Sequence, residues 1–216
     1  FAAYFGSRYA VMVNSGSSAN LIIIAALRYS QDSKFKLNLG DEIIVPAISW
    51  STTYYPLHQY GLHLKFVDVD PLTLNYDLVA LSDAISDKTR AIMAVNLLGN
   101  SNDFDEIKRI TANKNIILIE DNCESLGATF KGKLTGTFGV MGSFSFFYSH
   151  HISTMEGGMV LTDNEELYHL MLSLRSHGWT RDLPEKHTLL DLSERDPFTD
   201  SFNFILPGYN LRPLEM

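Results

Sequence analysis

Glu120-Asp121 closes the apolar run Ile117-Leu-Ile119, which puts carboxylates at the end of a buried strand. A carboxylate there can hold a proton on a heteroaromatic ring nitrogen and make that ring an electron sink. It can equally cap a helix or serve an ion pair. Upstream, Asn14-Ser-Gly16-Ser17-Ser18-Ala-Asn20 follows an apolar stretch and opens a helical pattern. Its small residues let amides and hydroxyls approach a phosphate at the positive helix end, or do no more than cap the helix. Trp50, just beyond the strand-like Ile43–Val45, is placed to stack on a flat ligand or to fill core. The stretch Gly142-Ser-Phe-Ser145-Phe-Phe-Tyr-Ser-His150-His151 then runs through Ile-Ser-Thr-Met-Glu to Gly157-Gly158. The His150 imidazole, with an ordinary pKa of about 6.5, suits proton transfer near neutral pH.

The elements that position these groups alternate. Strand-like segments recur at 43–45, 65–69, 91–95, 116–120, 143–147 and 158–162. Helical spacing covers 17–29, 77–86, 103–112 and 165–176, the last opened by Asp163-Asn164. That order predicts an α/β fold with a mostly parallel sheet covered by helices on both faces and ligands beyond the carboxyl ends of the strands. His177 and Arg181, in His177-Gly-Trp-Thr-Arg181, follow the last helix; they are weak candidates for ligand contacts, since a histidine there can simply favour the helix dipole. The polar segment 180–201, with Pro184 and Pro197, reads as a long surface loop bordering the site.

Composition narrows the classes. With 45% hydrophobic and 19% charged residues in 216, the chain is a globular domain of ordinary make-up. A formal net charge of -8 argues against a nucleic-acid partner, because phosphate backbones require a basic face. The longest apolar run, Leu21–Leu27, is far shorter than the roughly 20 residues that span a bilayer. With no apolar leader either, the expected location is cytoplasmic, in keeping with the single cysteine, Cys123. No Cys/His spacing suggests zinc, and one cysteine cannot hold an iron–sulfur cluster. The chain lacks an initiator methionine and ends after Pro207–Glu215, which reads as a helix just starting; it is expected to be a fragment.

The string from Ser143 to Gly158 resembles the segment that holds the Schiff-base lysine in sugar aminotransferases of the DegT/DnrJ/EryC1/StrS family. The resemblance covers nearly the whole chain. It implies the large domain of a fold type I, aspartate aminotransferase-like enzyme dependent on pyridoxal phosphate, with an N-terminal piece and a C-terminal small domain missing. It also implies roles: Gly16, Ser17, Ser18 and Ser145 at the cofactor phosphate, Trp50 on the ring face, Asp121 at the ring nitrogen and Glu124 near the ring hydroxyl. Asn210 would reach across a homodimer to the partner's cofactor phosphate, and His177 and Arg181 would contact substrate.

Aligning Phe144-Ser145-Phe146 with the family's Phe-Ser-Phe places His150 in the lysine position, and no lysine lies between Lys133 and Lys186. Imidazole moves protons but cannot anchor the cofactor covalently. The expected cofactor is therefore non-covalent pyridoxal or pyridoxamine 5'-phosphate, with His150 as base. His151 is expected to point away from the site. The pattern is most like that of the family's 3-dehydratases, which implies a lyase that removes the hydroxyl at carbon 3 of a nucleotide-linked 4-keto-6-deoxyhexose. GDP-4-keto-6-deoxy-D-mannose is the expected substrate and glutamate the amino donor. Two alternatives stay open: a sugar aminotransferase that tolerates histidine, and a non-catalytic member that kept the fold.

Overall fold

The computed structural model describes residues 1–190, 198 and 201–215. Its chain order is α1 (Ala2–Phe5), β1 (Tyr9–Val13), α2 (Gly16–Tyr29), β2 (Glu42–Pro46), α3 (Ser51–Gln59), β3 (His63–Val67), α4 (Leu78–Ala84), β4 (Thr89–Val95), α5 (Phe104–Thr111), β5 (Ile117–Asp121), β6 (Thr129–Phe130), β7 (Lys133–Leu134), β8 (Met141–Ser145), β9 (Gly158–Thr162) and α6 (Glu165–Leu174).

The main sheet runs β1-β9-β8-β5-β4-β2-β3. Every neighbouring pair from β8 to β3 is parallel, whereas β9 is antiparallel to both of its neighbours. Side-chain alternation sorts the strands' residues between two layers. Ile43, Val45 and Met93 join the cluster under α2 and α6, while Ile44, Ile92 and Ala94 pack with Phe104 and Ile107 of α5 on the other face. The expectation of a mostly parallel sheet covered on both faces holds.

Helix α2 is the hub, packing against α3, α6, β8 and β9. Its Ile22, Ile23, Ile24 and Leu27 are fully buried, each worth roughly 2 kcal/mol of transfer free energy. Ser15 caps this helix by accepting from the Ser18 N–H, so the helix starts at Gly16, one residue before the expected Ser17. Asp77, Asp103 and Asn164 cap α4, α5 and α6 in the same way.

Three segments depart from expectation. Strand β8 ends at Ser145 instead of Phe147: the Phe146 N–H still donates to Gly157 O (2.9 Å) while its ring packs with Phe5 and Phe144, and Phe147 O then accepts from the His150 N–H in a turn. Residues 207–215 form no helix. They lie along the end of α6, with the Tyr209 N–H donating to Leu174 O (2.7 Å) and the Leu211 N–H to Arg175 O (2.9 Å). The segment 180–190 is not purely a surface loop, since Thr180, Leu183 and His187 are buried; Pro197, the other proline of that expected loop, lies outside the described residues. No helix among the described residues is long and apolar enough to cross a membrane.

Candidate active site

A cavity of about 370 Å³ opens at the carboxyl ends of the parallel strands, where an α/β sheet offers its loops to ligands. Gly16, Ser17, Trp50, Asp121, Glu124, Ser145 and His150 all line it, so residues spread over most of the chain meet at one place. His151 is exposed and does not line the cavity. Its segment is a turn, with the His150 N–H donating to Phe147 O (3.0 Å), so turn geometry rather than strand alternation separates the two imidazoles.

Ser18, Asn210, His177 and Arg181 are not among the lining residues. Ser18 is occupied in the cap, its hydroxyl donating to Asn14 Oδ1 (2.5 Å). Asn210 is exposed and bridges to Ser176. His177, at φ 63, is exposed. The Arg181 guanidinium lies over the Trp179 ring, 5.1 Å from its centroid.

The floor of the cavity is polar and ordered. Asp121 is 5% exposed. Its Oδ2 accepts from Asn20 Nδ2 (2.8 Å) and Thr53 Oγ1 (2.9 Å), and its Oδ1 accepts from the Cys123 N–H (3.1 Å). Glu124 is held from the side, accepting from the Leu98 N–H (3.2 Å). Burial and the nearby Asp121 charge push the Cys123 thiol well above its ordinary range, so this lining residue stays a neutral thiol.

Glu120, one residue before Asp121, is fully buried and faces away from the cavity. It accepts main-chain N–H bonds from Gly136 (2.6 Å), Phe138 (2.5 Å) and Gly139 (2.7 Å). Burial pushes its carboxyl up, and the three N–H groups pull it back toward the ionised form. Of the two adjacent acids, one ties down a loop and the other is offered to the cavity. Sequence reasoning could not separate those duties.

Over the floor, Trp50 is 73% exposed and lies at the N-cap of α3 without a side-chain cap bond. So large an exposed aromatic beside a cavity is a ready stacking surface. The Ser145 Oγ accepts from the Phe147 N–H (3.3 Å), which leaves its proton for a ligand. Gly16 makes room: a Cβ there would come within 2.5 Å of Ser145 Cβ and 2.9 Å of Cys123 Sγ. The Gly16 and Ser17 N–H groups at the start of α2 lack helical acceptors, and both residues line this space, as phosphate binding requires. The residues present therefore fit a phosphorylated pyridine: a helix start with hydroxyls, an aromatic face, and a buried carboxylate with acceptor capacity left.

Gly16→Ala is expected to displace Ser145 and weaken binding of pyridoxamine phosphate by roughly tenfold or more, the scale of one lost charge-assisted hydrogen bond. Equilibrium dialysis of the variant checks this.

Sequence reasoning missed Asn20, Ser49, Thr52, Thr53, Asn96, Ser149 and Glu156, all of which line the cavity. For Thr52 and Thr53 the available signal was their place just after Trp50, at the same strand end. No lysine or arginine is among the lining residues described.

Comparison with known proteins agrees with this geometry. The model of the DegT/DnrJ/EryC1/StrS aminotransferase family matches residues 1–213. The GDP-4-keto-6-deoxy-D-mannose 3-dehydratase of Yersinia pseudotuberculosis is 62% identical over 216 residues, 100% of this chain and 54% of that relative. The Escherichia coli GDP-4-keto-6-deoxy-D-mannose-3-dehydratase solved with hydrated PLP superimposes with a TM-score of 0.95 at 61% identity, over 99% of this chain and 54% of that one. A GDP-4-keto-6-deoxymannose-3-dehydratase solved with a trapped PLP-glutamate geminal diamine gives a TM-score of 0.95 at 60% identity, over 99% and 55%. The chain thus spans about half the length of the relatives it matches. With a family model running over almost every residue and the cavity built from that family's motif positions, the chain belongs to the DegT/DnrJ/EryC1/StrS aminotransferase family.

Proposed function

We propose that this chain is the cofactor-binding portion of a pyridoxamine-phosphate-dependent 3-dehydratase. Its substrate is a nucleotide-linked 4-keto-6-deoxyhexose, GDP-4-keto-6-deoxy-D-mannose, and glutamate supplies the amine. One observation carries the reading: in a cavity fitted for a phosphorylated pyridine, the residue in the family's lysine position is His150. The similarity to 3-dehydratases at 62% identity supports the substrate class, and the PLP–glutamate adduct held by a relative supports the amino donor.

Pyridoxamine phosphate, when bound, supplies an amine able to condense with a ketone and a ring able to take up an electron pair. The chain's residues set that chemistry in place. The α2 start, with Ser17 and Ser145, holds the phosphate; Trp50 covers one ring face; Asp121 keeps a proton on the ring nitrogen; Glu124 sits near the ring hydroxyl. His150 would take up and return a proton at the amine-bearing carbon, and the bound cofactor would supply the electron pair with which the hydroxyl at sugar carbon 3 leaves. In net balance glutamate gives up its amine and an electron pair and leaves as 2-oxoglutarate, while the sugar exchanges its carbon 3 hydroxyl for hydrogen and the amine is released as ammonia beside a 4-keto-3,6-dideoxyhexose.

The same reading makes the protein a homodimer with shared sites. Asp121, Glu124 and Glu156 line a cavity with no basic side chain other than the imidazole among the described lining residues, so a phosphate dianion needs help from elsewhere. An exposed Asn210 is free to give it to a second chain. His177 and Arg181, outside the cavity, are assigned to the nucleotide sugar. The free thiol of Cys123 suits a reducing cytoplasm, where we place the reaction.

The protein incubated with GDP-4-keto-6-deoxymannose, glutamate and pyridoxal phosphate should yield a sugar that has lost oxygen at carbon 3. A stable 4-amino sugar would establish an aminotransferase instead, and no turnover with retained binding would leave a non-catalytic member. Borohydride treatment of the loaded protein should leave no phosphopyridoxyl group on any lysine, as mass spectrometry of a digest would show.

A further inference from the structure

We propose that Asn20 and Thr53 are positioning residues for Asp121: by donating together to its Oδ2 they turn Oδ1 toward a ring nitrogen and keep the shared proton on the ring. The inference rests on the proposed function and names the residues that make its electron sink work.

A carboxylate offers roughly four acceptor positions, two on each oxygen. Asn20 Nδ2 (2.8 Å) and Thr53 Oγ1 (2.9 Å) fill those of Oδ2. The Cys123 N–H (3.1 Å) bonds to Oδ1, so the acceptor capacity left for a ligand lies on Oδ1, in a residue that lines the cavity.

Both donors are fixed in direction. Ser143 Oγ donates to Asn20 Oδ1 (2.7 Å), so the amide must present its NH2 to Asp121. Thr53 spends its proton on Asp121, so its contact with Ser49 Oγ (2.8 Å) runs from Ser49 to Thr53. Two chains of donors, Ser143 through Asn20 and Ser49 through Thr53, therefore converge on one oxygen from α2 and α3. Asn20, Thr53 and Ser143 are all buried, so water does not compete for these bonds. Held by two donors, the carboxylate stays ionised and keeps Oδ1 turned to the ring, where its negative charge stabilises a ring N–H; a carboxylate free to turn away loses that contact. Simple satisfaction of a buried acid would not depend on the ring at all, and that difference is measurable.

Pyridoxamine phosphate isotope-labelled at the ring nitrogen is bound to the purified protein, and the nitrogen chemical shift is followed against pH. The wild type should show a protonated ring across neutral pH. Thr53→Val, which keeps shape and deletes the donor, should lower the midpoint for loss of the ring proton by about one unit, the scale of a hydrogen bond to a charged group. Thr53→Ser should restore it. Ser49→Ala, at a half-buried position, should move it by less in the same direction, and it decides the matter if the valine variant does not fold. Wild-type midpoints in the valine and alanine variants overturn this proposal and leave the proposed function standing. A wild type that binds no cofactor overturns both.

Discussion

His150→Asn is expected to lower the rate of carbon 3 deoxygenation roughly 10²- to 10⁴-fold, the range over which a positioned general base contributes, while the protein still binds pyridoxamine phosphate. Asparagine preserves polarity and approximate size but cannot take up a proton near neutral pH. The groups assigned to cofactor binding are supplied by other elements: α2, α3 and the ends of β5 and β8. Cofactor absorbance after gel filtration and turnover with the keto sugar and glutamate measure the two effects separately. Unchanged turnover would remove His150 as the base. Loss of binding alongside activity would show that it supports the cofactor instead.

Glu120→Gln is expected to cost about 3 kcal/mol of stability, which for a chain of this size lowers Tm by roughly 6–12 °C. Oε2 accepts from the Gly136 N–H and from Asn96 Nδ2 (3.4 Å), and Oε1 accepts from the Phe138 and Gly139 N–H groups. An amide has one oxygen, so whichever way it turns its NH2 meets buried donors and leaves at least one unpaired. Differential scanning calorimetry checks the shift. A melt within a degree or two of wild type would mean that the 136–139 turn does not depend on this carboxylate.

The central part of the fold was legible because its elements are buried on schedule. Strand β9 was read at its observed bounds, and β2, β4 and β5 within two residues, since each is an apolar run with both faces covered. Edge strand β3 was expected at 65–69 but spans His63–Val67. Its Phe66 is exposed, so apolar character says little there and pairing with β2 sets the limits. Helix α3 escaped notice because Ser51–Gln59 holds Pro56 and lacks a 3.6-residue apolar stripe; burial of Thr53 and Leu57 keeps it in place.

At the site, motif positions could be read one at a time, and His150, Asp121 and Trp50 meet at the cavity. The polar contacts could not. Asn20 and Asp121 stand 101 residues apart in sequence, and only the tertiary fold makes them partners.

Loop 146–157 carries His150 between β8 and β9, which are neighbours in the sheet, with Ser145 opposite Gly158 at its root. Because both ends are clamped by one ladder, a new side chain at its tip disturbs no strand pairing and little of the interior. An exchange at that tip can thus change which group faces the cavity while the strands on either side keep their pairing.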